Sequence, residues 1–205
     1  ESMKITILGL VLSLTSTCAM AERNFSFDIL AGQAEQTLVS PVATAAFNIS
    51  GDDLSFGLRG GYRFSDHLGA EIAYHDYGGA VQTRVDSALY VLDDESNLTA
   101  TNLGLVGMFS IGDRLSINAR AGIALWELAL RRRDTAFPGQ VFRSGTDGED
   151  PYVGIGLAYD ISERLSIGVE YSWTDINHTF RFMSGNTIEG TNDLRNLSFT
   201  VGSRF

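Results

Sequence analysis

The stretch YDISERLSIGVEYSW, residues 159–173, decides the fold. From Leu165 onward it alternates without a slip. Leu165, Ile167, Val169, Tyr171 and Trp173 share one face, and Ser166, Gly168, Glu170 and Ser172 share the other. A period of two is a strand. Ser162-Glu163-Arg164, just before it, is a polar trio clamped between Ile161 and Leu165. Reading backwards from Ile161 restores the alternation: Tyr159, Leu157, Ile155 and Val153 against Asp160, Ala158, Gly156 and Gly154. The stretch is a three-residue turn between two strands.

The same device occurs twice more, as RFSDHLGAE at 63–71 and SIGDRLSIN at 110–118. Leu54, Phe56, Leu58 and Tyr62 lead into the first turn, and Leu68, Ala70, Ile72 and Tyr74 lead out. Leu103, Leu105 and Phe109 precede the second, and Leu115, Ile117, Ile123 and Leu125 follow it. Phe25, Phe27 and Ile29 open the pattern, and Leu197, Phe199, Val201 and Phe205 close it. Eight strands are predicted, near 24–33, 53–64, 68–78, 100–111, 115–127, 151–161, 165–175 and 194–205. Between the short turns lie four segments read as long loops, 34–52, 79–99, 128–150 and 176–193, rich in Gly, Pro, Ser, Asn and charge.

Two all-β readings compete. A soluble barrel turns its apolar face inward and its charged face outward; a membrane barrel does the reverse. The polar face is mostly Gly, Ser, Thr and Asn, with few charges: Asp28, Arg59, Arg63, Glu71, Arg120, Glu170 and Arg204. A water-facing exterior carries far more charge than that. Aromatics sit near both ends of the apolar face: Phe25, Tyr62, Phe64, Phe109, Tyr159 and Phe205 at the turns, and Tyr74, Tyr171 and Trp173 at the loops. Two aromatic girdles suit a bilayer. The expected architecture is an all-β, eight-stranded antiparallel up-and-down transmembrane β-barrel with short periplasmic turns and four long extracellular loops.

Residues 1–21 read as a signal peptide behind two stray leading residues, Glu1-Ser2. Met3-Lys4 is followed by ITILGLVLSLTSTC and by Ala19-Met20-Ala21, a small-x-small cleavage site. The mature barrel domain is expected over 22–205, with Cys18 removed and no disulfide available. The chain has 15 Lys and Arg against 25 Asp and Glu, a net charge of −10. That excludes a nucleic-acid binder, which needs a basic face.

The signal peptide, the eight alternating segments, the three short turns and the terminal strand NLSFTVGSRF resemble the OmpA-type family of small outer-membrane barrels, including its OmpX- and Ail-like members. The resemblance implies a bacterial outer-membrane location, and partners in outer-membrane lipid, lipopolysaccharide and a host ligand reached by the loops. Phe199, Val201 and Phe205 match the C-terminal pattern recognised by the barrel-assembly machinery. The chain ends at the eighth strand, so peptidoglycan binding, a property of a further domain in OmpA, is not implied.

Inside such a barrel Asp28, Arg59, Arg63, Glu71, Asn118, Arg120 and Glu170 are expected to form a polar network, because opposite charges in a narrow lumen should pair. The turns set the register: Glu71 should face Gly61, and Glu170 should face Gly156. Arg131-Arg132-Arg133 above the fifth strand suits lipopolysaccharide phosphates. His67, His75 and His178 are far apart and show no nucleophile–base pattern, so catalytic, cofactor and metal residues are all expected to be none. The expected function is surface contact or membrane integrity by a monomer; the alternative is a small pore gated by exchange of the lumen ion pairs.

Overall fold

The computed structural model describes residues 24–40, 47–87, 90–135, 141–181 and 187–205; the leader expected at 1–21 lies outside them. Every element among the described residues is a strand. They are β1 (Phe25–Ser40), β2 (Phe47–Arg63), β3 (Leu68–Asp76), β4 (Val81–Ser87), β5 (Tyr90–Ile111), β6 (Leu115–Asp134), β7 (Val141–Asp160), β8 (Leu165–Arg181) and β9 (Thr187–Arg204). All pairings are antiparallel. The order β3-β2-β1-β9-β8-β7-β6-β5 closes on itself through β3–β5, and β4 continues along β5 above β3. The ring therefore has eight staves, one of them made of two strands.

Two of the three short turns share one construction. The Phe64 and Ser65 N–H groups donate to the Leu68 carbonyl, while Ser65 Oγ accepts from the His67 and Leu68 N–H groups. Ser162 repeats this with Arg164 and Leu165. The middle turn has no serine there; Gly112 instead adopts a φ of 72°, which a side chain disfavours. Gly61 pairs with Glu71 and Gly156 with Glu170, the register read from the turns.

The segments read as long loops are mostly strand. β1 runs to Ser40, β2 starts at Phe47, β6 reaches Asp134 and β7 begins at Val141. On β1, β6 and β8 the alternation runs on; its chemistry inverts. On β1 the outward residues pass from Phe27, Ile29 and Ala31 to Gln33, Glu35 and Thr37, while the inward ones pass from Ser26 and Asp28 to Leu30, Ala34 and Leu38. On β6 Ile123 and Leu125 face out below Glu127, and Arg120 faces in below Ala124, Trp126 and Leu128. β8 crosses over between Trp173 and Asp175. Below that level lipid lies outside, and above it water does. The inverted stretch reads as polar loop only if one outer solvent is assumed for the whole strand.

Above the crossover the ring opens into two sheets. β2 pairs with β3 only from Phe56 to Arg63, and β7 pairs with β8 only from Tyr152 to Asp160. The upper halves of β2, β1, β9 and β8 form one four-stranded sheet, and β4 with the upper halves of β5, β6 and β7 forms the other. Leu38, Ile49, Ile176 and Leu194 from the first pack with Leu98, Trp126, Leu128 and Tyr152 from the second in one buried apolar core.

Candidate functional site

Two regions can carry function: the lumen within the membrane, and the two-sheet head above it. In the lumen β1, β2, β3, β6 and β8 each send one charged side chain to a common level. Arg59 Nε donates to Asp28 Oδ2 at 2.8 Å, and Arg59 Nη1 donates to Glu170 Oε2 at 2.7 Å. Arg120 Nε donates to Glu71 Oε2 at 3.1 Å, and its Nη1 stands 3.0 Å from Glu170 Oε2. Arg59 Nε lies 3.8 Å from Glu71, so Arg120 is the closer cation to that carboxylate. Arg59, Glu71 and Glu170 are buried, and two guanidinium forks shared among three carboxylates meet the pairing that buried charge demands.

Asn118 and Arg63 stand lower. They line a cavity of about 80 Å³ on the turn side of the network, with Ser26, Ser166 and Thr200. Arg204 Nη1 reaches Asp160 Oδ2 at 2.9 Å in the same lower part. Sequence reasoning missed Tyr152, whose hydroxyl donates to Glu71 Oε1 at 3.2 Å. The alternation was the available signal: Tyr152 shares its face with Gly154 and Gly156. Gly122 makes room for its ring; a Cβ there would stand 2.7 Å from Tyr152 Cε1. Above, the Ser55 hydroxyl donates to Asn196 Oδ1 at 2.6 Å, and Asn196 Nδ2 donates to Ser198 at 2.8 Å.

A carboxylate ties each seam of the head. At one seam Asp53 on β2 accepts the Gly79 N–H at 3.0 Å, beside Gly78, whose φ is 66°. Gln36 Nε2 reaches the Gly78 carbonyl at 3.2 Å from inside. At the other seam Asp150 on β7 accepts Trp126 Nε1–H at 2.8 Å and the Asn177 N–H of β8 at 3.1 Å. The run Asp147–Asp150 is thus split, with Asp147 and Glu149 exposed and Asp150 turned to the seam. His178, near Asp150, is buried, and that burial lowers its pKa against the opposing effect of Asp150.

The arginine run is split too. Arg131 and Arg133 fall on the outward rows of β6, whereas Arg132 takes the alternate row opposite Asp94 and Phe142. What joins Arg131 instead is Arg143, its direct partner on β7. Histidines are not brought together: His67 is in a turn, His75 stacks on Tyr77 in the lumen with ring centroids 5.2 Å apart, and His178 is in the head.

The sequence matches the family model for the outer membrane protein β-barrel domain over residues 7–205. The chain belongs to that family. An outer-membrane barrel of this kind resides in the bacterial outer membrane, and the lipid-facing surface just described fits that setting. The fold is similar to that of OprG from Pseudomonas aeruginosa, with a TM-score of 0.59 at 13% identity, covering 90% of this chain and 98% of that one. It is also similar to Neisserial surface protein A, with a TM-score of 0.50 at 15% identity, covering 87% of this chain and 97% of the other. No curated protein sequence matches it. The outer-membrane barrel family contains adhesive, pore-forming and structural members, so the role of this barrel rests on its own geometry.

Proposed function

We propose that this outer-membrane barrel is a sealed surface protein, which acts through its two-sheet head on envelope or host components and braces the membrane around it. The carrying observation is that the lumen is filled at two successive levels of different chemistry. The ion-pair network occupies the level of Arg59, and an apolar core of Leu38, Leu98, Leu128 and Ile176, each 2% exposed or less, occupies the head. Ions that passed the first level would meet hydrocarbon at the second. The barrel is read as a non-enzymatic monomer. Lipopolysaccharide packs against its outer wall, with Arg131 and Arg133 on that wall, and Phe199, Val201 and Phe205 serve recognition by the assembly machinery.

The second reading, a small pore gated by exchange of the pairs, draws on the cavity beneath Arg59 and Arg120, which gives water a way in from the turn side. Planar-bilayer recording of the refolded barrel separates the two. A sealed barrel gives a flat baseline at every protein concentration. Discrete steps whose number rises with protein, and which grow when Glu170→Ala removes the shared carboxylate, would make the pore the function.

A further inference from the structure

Across the outward wall of β5, β6 and β7, Glu95, Arg131 and Arg143 lie in one row, and Arg131 and Arg143 are direct cross-strand partners. Like charges placed directly opposite repel. Local neutralisation is poor: the Arg131–Glu95 contact is 3.9 Å, and Arg131 Nε is buried without a hydrogen-bond partner among the described residues. Arg133, exposed in the next row up with Asp93 as its direct partner on β5, adds a third cation to the same face. The row below is Ala129 and Gly145, which leaves a shallow floor under the guanidinium groups. A Cβ built on Gly145 meets only the Leu128 carbonyl, at 3.7 Å, so the backbone there does not demand glycine.

Height identifies what this row can touch. Leu125 is the last lipid-facing residue of β6, and Arg131 follows it by three outward positions. At about 3.3 Å per residue and a tilt near 40°, Arg131 stands roughly 15 Å above the hydrocarbon boundary. A phospholipid headgroup zone is only about 5–8 Å deep. The group must therefore belong to a taller molecule beside the wall. It must also be compact and doubly accepting, because planar guanidinium forks match phosphate oxygens. The exposed carboxylates Glu127 and Asp147 lie lower on the same wall and disfavour a phosphate there.

We propose that Arg131 and Arg143, with Arg133 above and the Ala129–Gly145 floor below, clamp a phosphate carried by a core sugar of neighbouring lipopolysaccharide. This rests on the reading of the barrel as a surface protein in contact with that leaflet. The clamp would dock the barrel laterally at one face, and the phosphate would give Arg131 the counter-charge that Glu95 supplies poorly.

The test uses the folded barrel in nanodiscs and two lipopolysaccharides as probes. One carries core-sugar phosphates; the other comes from a strain lacking the core-sugar kinase and keeps only its lipid A phosphates. Arg131→Ala and Arg143→Ala should each weaken binding of the first about tenfold, the effect of losing a charge-assisted hydrogen bond. Gly145→Leu, which fills the floor and leaves every charge in place, should weaken it similarly. None should alter binding of the second, and Arg195→Ala on the opposite sheet should alter neither. Unboiled-gel mobility confirms that each variant is folded. If wild type binds both probes and the variants match it, the clamp is wrong and the surface reading survives. If wild type binds neither probe, the contact with that leaflet on which the clamp rests fails, and the clamp with it. If a soluble heparin fragment binds through Arg143 while lipopolysaccharide does not, the row serves a free sulfated polymer and the proposal is overturned.

Discussion

The lower and upper halves of this barrel are built on one ladder and obey opposite rules. Below the crossover the outside is Leu, Ile, Val and aromatic, and the inside is Arg, Asp, Glu and Ser. Above it the outside carries Glu35, Glu127, Glu149 and Arg195, and the inside holds Leu38, Leu98, Leu128 and Trp126. On β1 and β6 the inversion occurs within one continuous strand. The difference is the outer solvent. In lipid, outward apolar residues gain little by turning inward, so the interior can hold polar groups that satisfy one another. In water, burial of each large apolar side chain contributes about 1.5–3 kcal/mol, so the interior gains an apolar core, with Gln36, Asn192 and His178 buried beside it. The halves should therefore fail in different ways.

The largest effect should come from breaking the lower half at its hub. Arg59→Ala leaves Asp28 and Glu170 without the guanidinium that holds both, and should cost about 3–5 kcal/mol in urea unfolding from lipid vesicles. Glu71→Ala combined with it should fall short of additivity by less than Glu170→Ala does, because Glu71 leans mainly on Arg120. A loss for Arg59→Ala smaller than that of an apolar truncation in the head would remove the distinction between the halves.

In the upper half, Leu128→Ala should cost about 3 kcal/mol through lost burial and the space left behind. The informative control is bilayer thickness. The Arg59 effect should depend on the host lipid, whereas the Leu128 effect should be the same in thin and thick vesicles. Next comes the seam. Asp150→Asn weakens two charge-assisted bonds, to the Trp126 ring N–H and the Asn177 amide, and should cost about 1–2 kcal/mol. Faster hydrogen exchange at the Asn177 amide, with no change at the Tyr171 amide in the membrane, would place that loss in the head alone.

A smaller effect is expected on acidification. Burial lowers the His178 pKa, so the folded head favours neutral imidazole. The stability this gives is complete above the ordinary histidine value of 6.5 and declines as pH falls below it. Protease cutting within 175–181 should rise from pH 7 to about pH 5.5, the range in which histidine titrates, and His178→Phe should flatten that rise. The smallest effect belongs to Arg195→Ala. Its ion pair with Asp193 is exposed, and the unfolding midpoint should not move.

Much of this was legible from residues alone, and the gaps have one cause. The turns fixed the register, which is why Glu71 opposite Gly61 and Glu170 opposite Gly156 could be read in advance. Asp28, Arg59, Arg120 and Glu170 were recognisable because isolated charges on a Gly- and Ser-rich face have few other uses. The head was not legible, because Trp126, Leu128 and Ile176 are apolar on the face that had been polar. A phase reversal looks like the end of a strand when one solvent is assumed throughout. Arg143 was hidden for the same reason: with 128–150 read as loop, nothing put it beside Arg131. The split of Asp147–Asp150 between two faces also follows only once that segment is strand.

The division of the head into two sheets pairs off the upper strand ends. The connections after β1 and after β8 leave from the same sheet, joined below by the β1–β9 ladder, and the connections after β4 and after β6 leave from the other, joined by β5–β6. An antibody epitope spanning two tips should therefore draw on the first and fourth, or on the second and third. Grafting a foreign peptide into one tip should perturb its sheet-mate and leave the opposite pair recognisable, so that the barrel displays two semi-independent antigenic faces rather than one crown.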